Sequence, residues 1–135
     1  MKPIELAGVV IYDEEGKLLL LHRNTPDLIQ WELPGGKVES DETREEAARR
    51  EAKEEIGVSV RIVRALGDAS FEHKGLVWRY TWYEAEIREG EVPSVEEPET
   101  FDEVKYRAVS ELVKVKDQLS PNVINLLGFI AKREF

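Results

Sequence analysis

The sequence predicts a single layered α/β domain. Three observations carry that reading: short runs rich in leucine, β-branched and aromatic residues, one strongly capped helix among them, and a second helix that closes the chain. Strands and amphipathic helices in this order bury their apolar faces by stacking in layers. At 135 residues the chain has room for one compact unit over residues 1–135, and too little for two.

Residues 5–12 and 17–22 are apolar runs separated by Asp13-Glu14-Glu15-Gly16, which predicts a hairpin with glycine in its turn. Asn24 to Gln30, with Pro26 inside it, is expected to be a loop. Trp31-Glu32-Leu33-Pro34-Gly35-Gly36 reads as a short extended piece halted by proline and paired glycines. Thr43 to Ile56 is the clearest helix. Thr43 and Glu46 form a T-x-x-E capping box, Glu45 and Glu46 suit the positive end of the helix dipole, and Gly57 supplies the stop. Ala48, Ala52 and Ile56 recur every four residues as one narrow apolar stripe, and its alanines allow close approach to a sheet. Val58 to Leu66 and Leu76 to Ile87 read as strands, with Gly67 to Gly75 turning between them. Residues 88–102 are polar and acidic with two prolines, and read as a loop. Glu103 to Val109 alternates as a further strand, and Ser110 is expected to cap a short helical turn through Val113. Pro121 opens a helix over 121–133, with Val123, Ile124, Leu127 and Ile130 facing inward.

Composition narrows the function. Hydrophobic residues make up 41% and charged residues 35%, with a formal net charge of −9. Grip on a nucleic-acid backbone comes from Lys and Arg displacing counterions, so an acidic chain argues against a nucleic-acid partner. It suits instead a protein that gathers divalent cations and lets them meet an anionic substrate. With no cysteine, disulfides and thiolate zinc sites are excluded. No run has the length of a membrane span, and residues 1–20 lack the basic start and long apolar stretch of a signal peptide, so a cytoplasmic location is expected.

The chemistry concentrates in GKVESDETREEAARREAKEEIGV, which starts at Gly36. At about 100° per residue, Glu51, Glu54 and Glu55 fall within roughly a 100° sector of the helix. Three carboxylates on one face repel one another unless cations lie between them. Hard oxygen donors of this kind favour Mg²⁺ or Mn²⁺, ions that keep waters and bind through a few carboxylates plus substrate phosphates. Glu42, just before the helix, can reach the same cluster, and Pro34-Gly35-Gly36 brings bare backbone close enough to offer a carbonyl. The competing reading is a solvated acidic face paired with Lys and Arg of the same helix, in which Glu51 and Glu55 form a mildly unfavourable like-charge pair.

The same stretch resembles the Nudix box, G-x5-E-x7-R-E-U-x-E-E-x-G-U with U apolar. Gly36, Glu42, Arg50, Glu51, Glu54, Glu55, Gly57 and Val58 fall in place, Ala52 fills the remaining apolar position, and Asp41 stands where relatives usually have glycine. The preceding Trp31 to Glu39 also resembles the family's approach to the box. The resemblance implies an α/β/α sandwich with a mixed central sheet and a Mg²⁺-dependent hydrolase of diphosphate linkages in nucleotide-like small molecules, with Mn²⁺ able to substitute. It implies metal binding by Glu51, Glu54 and Glu55 with the Gly35 carbonyl, supported by Glu42, and an Arg50 that orients Glu51. The general base varies among relatives, and Glu54, Glu55, Glu97, Glu99 and Glu103 are the candidates here.

Substrate choice lies outside the box. Three features resemble the MutT-type branch, which hydrolyses nucleoside triphosphates, oxidised purine forms included, to monophosphate and pyrophosphate. Arg23 ends the second strand where that branch contacts phosphate, loop 96–103 supplies acids, Glu99 among them, where it has an extra metal-binding glutamate, and Asn122 opens the last helix near its purine-reading Asn. The alternatives are a surface charge at Arg23 and a helix-start residue at Asn122. An amide both donates and accepts, which suits a purine edge. Leu33 is expected to line the substrate site. The aromatic group Phe71, Trp78, Tyr80, Trp82 and Tyr83 offers candidates for stacking on the base, the alternative being that these strand residues pack the core. His22 and His73 are expected to be structural or solvent-facing. Hydrolysis of ADP-ribose, a nucleotide sugar or a dinucleoside polyphosphate is the alternative among hydrolases, and a non-catalytic, nucleotide-sensing Nudix-fold domain is the alternative of another class. Both a monomer and a homodimer are compatible with the sequence.

Overall fold

The structure, a computed structural model, describes residues 2–133. Seven strands, β1 (Ile4–Val10), β2 (Leu18–Thr25), β3 (Leu28–Glu32), β4 (Gly35–Lys37), β5 (Val60–His73), β6 (Leu76–Ile87) and β7 (Phe101–Arg107), form two sheets. One has the order β4-β1-β6-β5 and the other β3-β2-β7. β1 runs parallel to β6 and antiparallel to β4, so the larger sheet is mixed. Helix α1 (Arg44–Ile56) covers one side. The short α2 (Val109–Leu112) and the closing α3 (Pro121–Arg133) cover the other. This is the expected α/β/α sandwich.

Two cores separate the layers. Leu19 and Leu21 of β2 join Ala7 and Val9 of β1 and the Ala47, Ala48, Ala52 and Ile56 face of α1. Leu18 and Leu20 point the other way, to Trp31, Leu33, Tyr80, Trp82 and α3. The four-leucine run is thus a strand buried on both faces, where successive side chains feed opposite cores.

That double burial corrects the first expected hairpin. The Asp13–Gly16 turn forms, with Asp13 accepting from the Glu15 and Lys17 amides and a bridge between Tyr12 and Leu18. Beyond it the two strands part into different sheets, because each is apolar on both faces and takes neighbours on both edges. The expected loop at 24–30 is instead a tight β2–β3 hairpin turning at Pro26-Asp27, where Thr25 Oγ1 donates to Asp27 and to the Leu28 carbonyl. The turn expected over Gly67–Gly75 shrinks to Lys74-Gly75, both at positive φ as a two-residue hairpin requires. Gly67 lies within β5 at a bulge against β6.

α1 follows its sequence signals closely. Thr43 caps it, the Glu46 box is complete, and Gly57 ends it in the left-handed conformation. At the other end of the chain, the strand expected at 103–109 lies at 101–107, and Ser110 sits inside a turn whose N-cap is Ala108. α3 spans the expected residues, but Leu126 is buried in place of Ile124, which is 36% exposed.

Candidate active site

The C-terminal half of α1 carries the acids to one edge of the sandwich. Its alanine face is committed to the core, and the turn of the helix then sets Glu51, Glu54 and Glu55 beside that face. Glu55 is only 7% exposed and accepts a hydrogen bond from the Gly35 amide at 2.9 Å. Burial, reinforced by Glu51, Glu97 and Glu32, pushes its carboxyl up to about 9, against the lowering influence of the Gly35 N–H. Glu51 lies flat on β4: a β-carbon at Gly36 would sit 2.6 Å from its carboxylate carbon, so a larger residue there would displace the acid. Burial also raises the Glu51 carboxyl.

Arg50 is the hub of the cluster. It donates to Glu51 at 2.9 Å, to Glu42 at 2.7 and 3.1 Å, to Glu54 at 3.2 Å and to the Lys37 carbonyl at 3.0 Å. The paired hydrogen bonds with Glu42 hold the guanidinium's proton above its already high range, and they lower the Glu42 carboxyl. Glu42 therefore joins the cluster through Arg50, and its second tie is to the Glu39 amide.

The acidic loop is sewn to the end of α1. Ser94 and Glu96 amides donate to the Ile56 and Glu55 carbonyls, and the Glu97 carbonyl accepts from the Thr100 and Phe101 amides. The loop acid this brings to the cluster is Glu97. It is half-buried, and its carboxyl is raised by burial and then by Glu51, Glu54 and Glu99. Glu99 and Glu103 are exposed, and Glu103 pairs with His22 in the β2–β7 ladder.

Among the described residues these acids are not already closed into a ligand set, since Arg50 stands between Glu42, Glu51 and Glu54. Their chemistry still fits a hard dication. The donors are all oxygen, and three of the acids, Glu51, Glu55 and Glu97, hold their protons more tightly than ordinary carboxylates. An added cation would relieve that stress.

Beside the cluster lies a cavity of about 300 Å³ lined by Leu28, Gln30, Glu32, Phe71, His73 and the Ser120–Asn122 start of α3. The start of α3 is moored to β3 by the Ser120 amide on the Trp31 carbonyl at 2.9 Å. Asn122 Oδ1 is buried there without a hydrogen-bond partner among the described residues. Of the aromatic candidates for stacking, Phe71 alone lines this cavity, backed by a parallel Trp78 ring 6.4 Å away. Tyr80, Trp82 and Tyr83 belong to the cores. Leu33, expected at the substrate, is 4% exposed and packs with Trp31 in the second core. His22 pairs with Asp102 at 2.7 Å, apart from the cavity, whereas His73 is one of its walls.

Arg23 grips Glu32 through Nε at 2.5 Å and Nη2 at 3.2 Å and lies over the Phe101 ring. Glu32 raises the Arg23 guanidinium through this pair, and Glu55 adds to it through space. Sequence reasoning passed over Glu32. The available signal was its place between Trp31 and Leu33: where both flanking residues face a core, the acid between them must face the other way.

A Nudix-type sandwich with an acidic helix face beside an open cavity defines the class of protein. A family model described as NUDIX domain matches residues 3–127, and the chain belongs to that family. A MutT-like protein of Streptomyces ambofaciens is 40% identical over 74 residues, 55% of this chain and 46% of its own length. A CTP pyrophosphohydrolase of Escherichia coli is 33% identical over 86 residues, 62% of this chain and 63% of its own length. These alignments thus span about half to two-thirds of the curated relatives. The crystal structure of a MutT protein from Methanosarcina mazei superposes with a TM-score of 0.84 over 99% of this chain and 98% of that one, at 22% identity, which shows a common fold. Among the described residues no helix is long and apolar enough to cross a membrane.

Proposed function

We propose that this chain is a Mg²⁺-dependent pyrophosphohydrolase that cleaves a nucleoside triphosphate to monophosphate and pyrophosphate. The observation that carries the reading is the junction of the Glu51–Glu55 cluster with the Phe71–Asn122 cavity through the Arg23–Glu32 pair. On this reading, phosphate chemistry and base recognition are neighbours.

Glu51, Glu54 and Glu55, with the Gly35 carbonyl, would hold the metal, which supplies neutralisation of phosphate oxygens and an acidified water. Arg50 keeps Glu51 and Glu54 in place by charge-assisted hydrogen bonds, and Glu42 anchors Arg50. Arg23, held by Glu32 through Nε and Nη2, keeps its remaining Nη1 for a substrate phosphate. Glu97 takes the proton of the attacking water: its raised proton affinity suits a general base, and it adjoins Glu51 and Glu54. Phe71 and Asn122 receive the base.

The test is hydrolysis of a panel of nucleoside triphosphates, ADP-ribose, nucleotide sugars and dinucleoside polyphosphates, with products identified, by the wild type and Glu55→Gln. Monophosphate plus pyrophosphate from a triphosphate is expected. The variant should lose more than about a hundredfold in turnover. It should melt no lower than the wild type, because burial already favours a neutral group there. Full activity in Glu55→Gln would refute the site. Cleavage confined to ADP-ribose or a dinucleotide would move the substrate, and metal and nucleotide binding without turnover would make the protein a sensor.

A further inference from the structure

Glu32 has more to do than partner Arg23. It stands at the end of β3 with a side chain only 16% exposed, and it forms part of the cavity wall that Phe71 and Asn122 complete. Its Oε2 accepts from Arg23 Nε at 2.5 Å and from Gln30 Nε2 at 2.8 Å, whereas Oε1 accepts one long bond from Arg23 Nη2 at 3.2 Å. A carboxylate has about four acceptor positions, so Oε1 keeps capacity for one more donor. Arg23 and Gln30 together fix the direction in which it is offered.

Resting on the reading of the cavity as a base pocket, we propose that Glu32 selects nucleotides whose base carries an exocyclic amino group. An ionised carboxylate only accepts, so the group that meets it must donate. The amino groups of cytosine, adenine and guanine do so. The carbonyl oxygen that uracil has in place of the cytosine amino group, or hypoxanthine in place of the adenine one, would face a second oxygen with no proton between them, and where guanine has its amino group hypoxanthine offers only a C–H. Asn122 does not impose this choice, because its amide satisfies either partner by turning over. Among the described residues its buried Oδ1 has no hydrogen-bond partner, so it is a second polar group on the same cavity. Phe71, flat against Trp78, offers a face to any base and discriminates little.

Nucleoside monophosphates read the base without the hydrolysis step. Calorimetric titrations in Mg²⁺ buffer would compare CMP with UMP, AMP with IMP and GMP with IMP. In the tightest-binding pair, the amino member should bind about 10- to 100-fold better than its partner. Glu32→Gln, which can donate as well as accept, should bring that ratio below about threefold while still binding. Equal binding within every pair by the wild type would overturn the proposal. So would a ratio that survives in Glu32→Gln while all affinities fall together, the mark of a residue that only positions Arg23. If Glu32→Gln fails to fold by circular dichroism, the wild-type ratios decide. Absence of binding by all the monophosphates would overturn it together with the base pocket. Triphosphate hydrolysis without amino preference would overturn it and leave the proposed activity standing.

Discussion

Gly36 decides where the Glu51 carboxylate can lie. Its missing side chain lets the Glu51 carboxylate rest on β4, and the atoms in the way of a β-carbon are the movable end of that glutamate, not backbone. Gly36→Ala should therefore fold and melt within a few degrees of the wild type, with Glu51 swung away from Glu55. Mg²⁺ affinity should fall about tenfold or more, as for other changes that disturb how a ligand is held. Calorimetric titration with Mg²⁺ checks this, and unchanged affinity would show that Glu51 is no ligand. Arg50 works in the same place by the opposite means: one guanidinium satisfies three carboxylates and a carbonyl, so acids that would repel share a helix turn.

At the scale of elements, α1 matters because it carries Arg50 together with Glu51, Glu54 and Glu55. Its start is held by reciprocal bonds, Thr43 Oγ1 accepting from the Glu46 amide at 3.1 Å and Glu46 accepting from the Thr43 amide at 2.8 Å. Thr43→Ala should cost about 1 kcal/mol of stability. Urea denaturation would measure it, and a loss under about 0.3 kcal/mol would mean that packing alone holds the first turn. Mg²⁺ affinity should barely change, since Glu51, Glu54 and Glu55 lie at the far end of the helix, where packing of Ala52 and Ile56 governs. The β5–β6 hairpin serves the site differently. Its length, absorbed by two bulges, carries Phe71 and His73 out to the cavity wall.

For the whole molecule, the buried acid links stability to pH and metal. In the folded protein Glu55 holds its proton to about 9, against 4.5 for an ordinary glutamate. Between those values the folded state binds more protons than the unfolded, so this contribution to stability is full below pH 4.5 and is lost as pH rises towards 9. In chelator, the melting temperature of the wild type should fall across this window more steeply than that of Glu55→Gln, which has no carboxyl to ionise. Mg²⁺ favours the ionised form and should protect most at the alkaline end. Melting curves from pH 5 to 9, with and without Mg²⁺, test both statements. Parallel slopes for the two proteins would show that Glu55 does not titrate as described.

What could be read from sequence is what short-range physics writes locally. The capping box, the alanine stripe and the Gly57 stop each involve residues within one or two turns, and α1 formed with those bounds. The spacing of Glu51, Glu54 and Glu55 is likewise a property of the helix itself, as is the box that identifies the family. Tertiary structure decided the rest. Residues 5–22 look like a hairpin, yet two-sided burial sends β1 and β2 to separate sheets. Leu33 and Glu32 are neighbours in the chain, but only the packing of β3 shows which of them meets a core and which the cavity. That cavity joins β3, β5 and the start of α3, segments far apart in sequence, and no local pattern encodes such a meeting. Glu97 emerges over Glu99 for the same reason: the loop's hydrogen bonds to the end of α1, not its composition, choose the acid that adjoins the cluster.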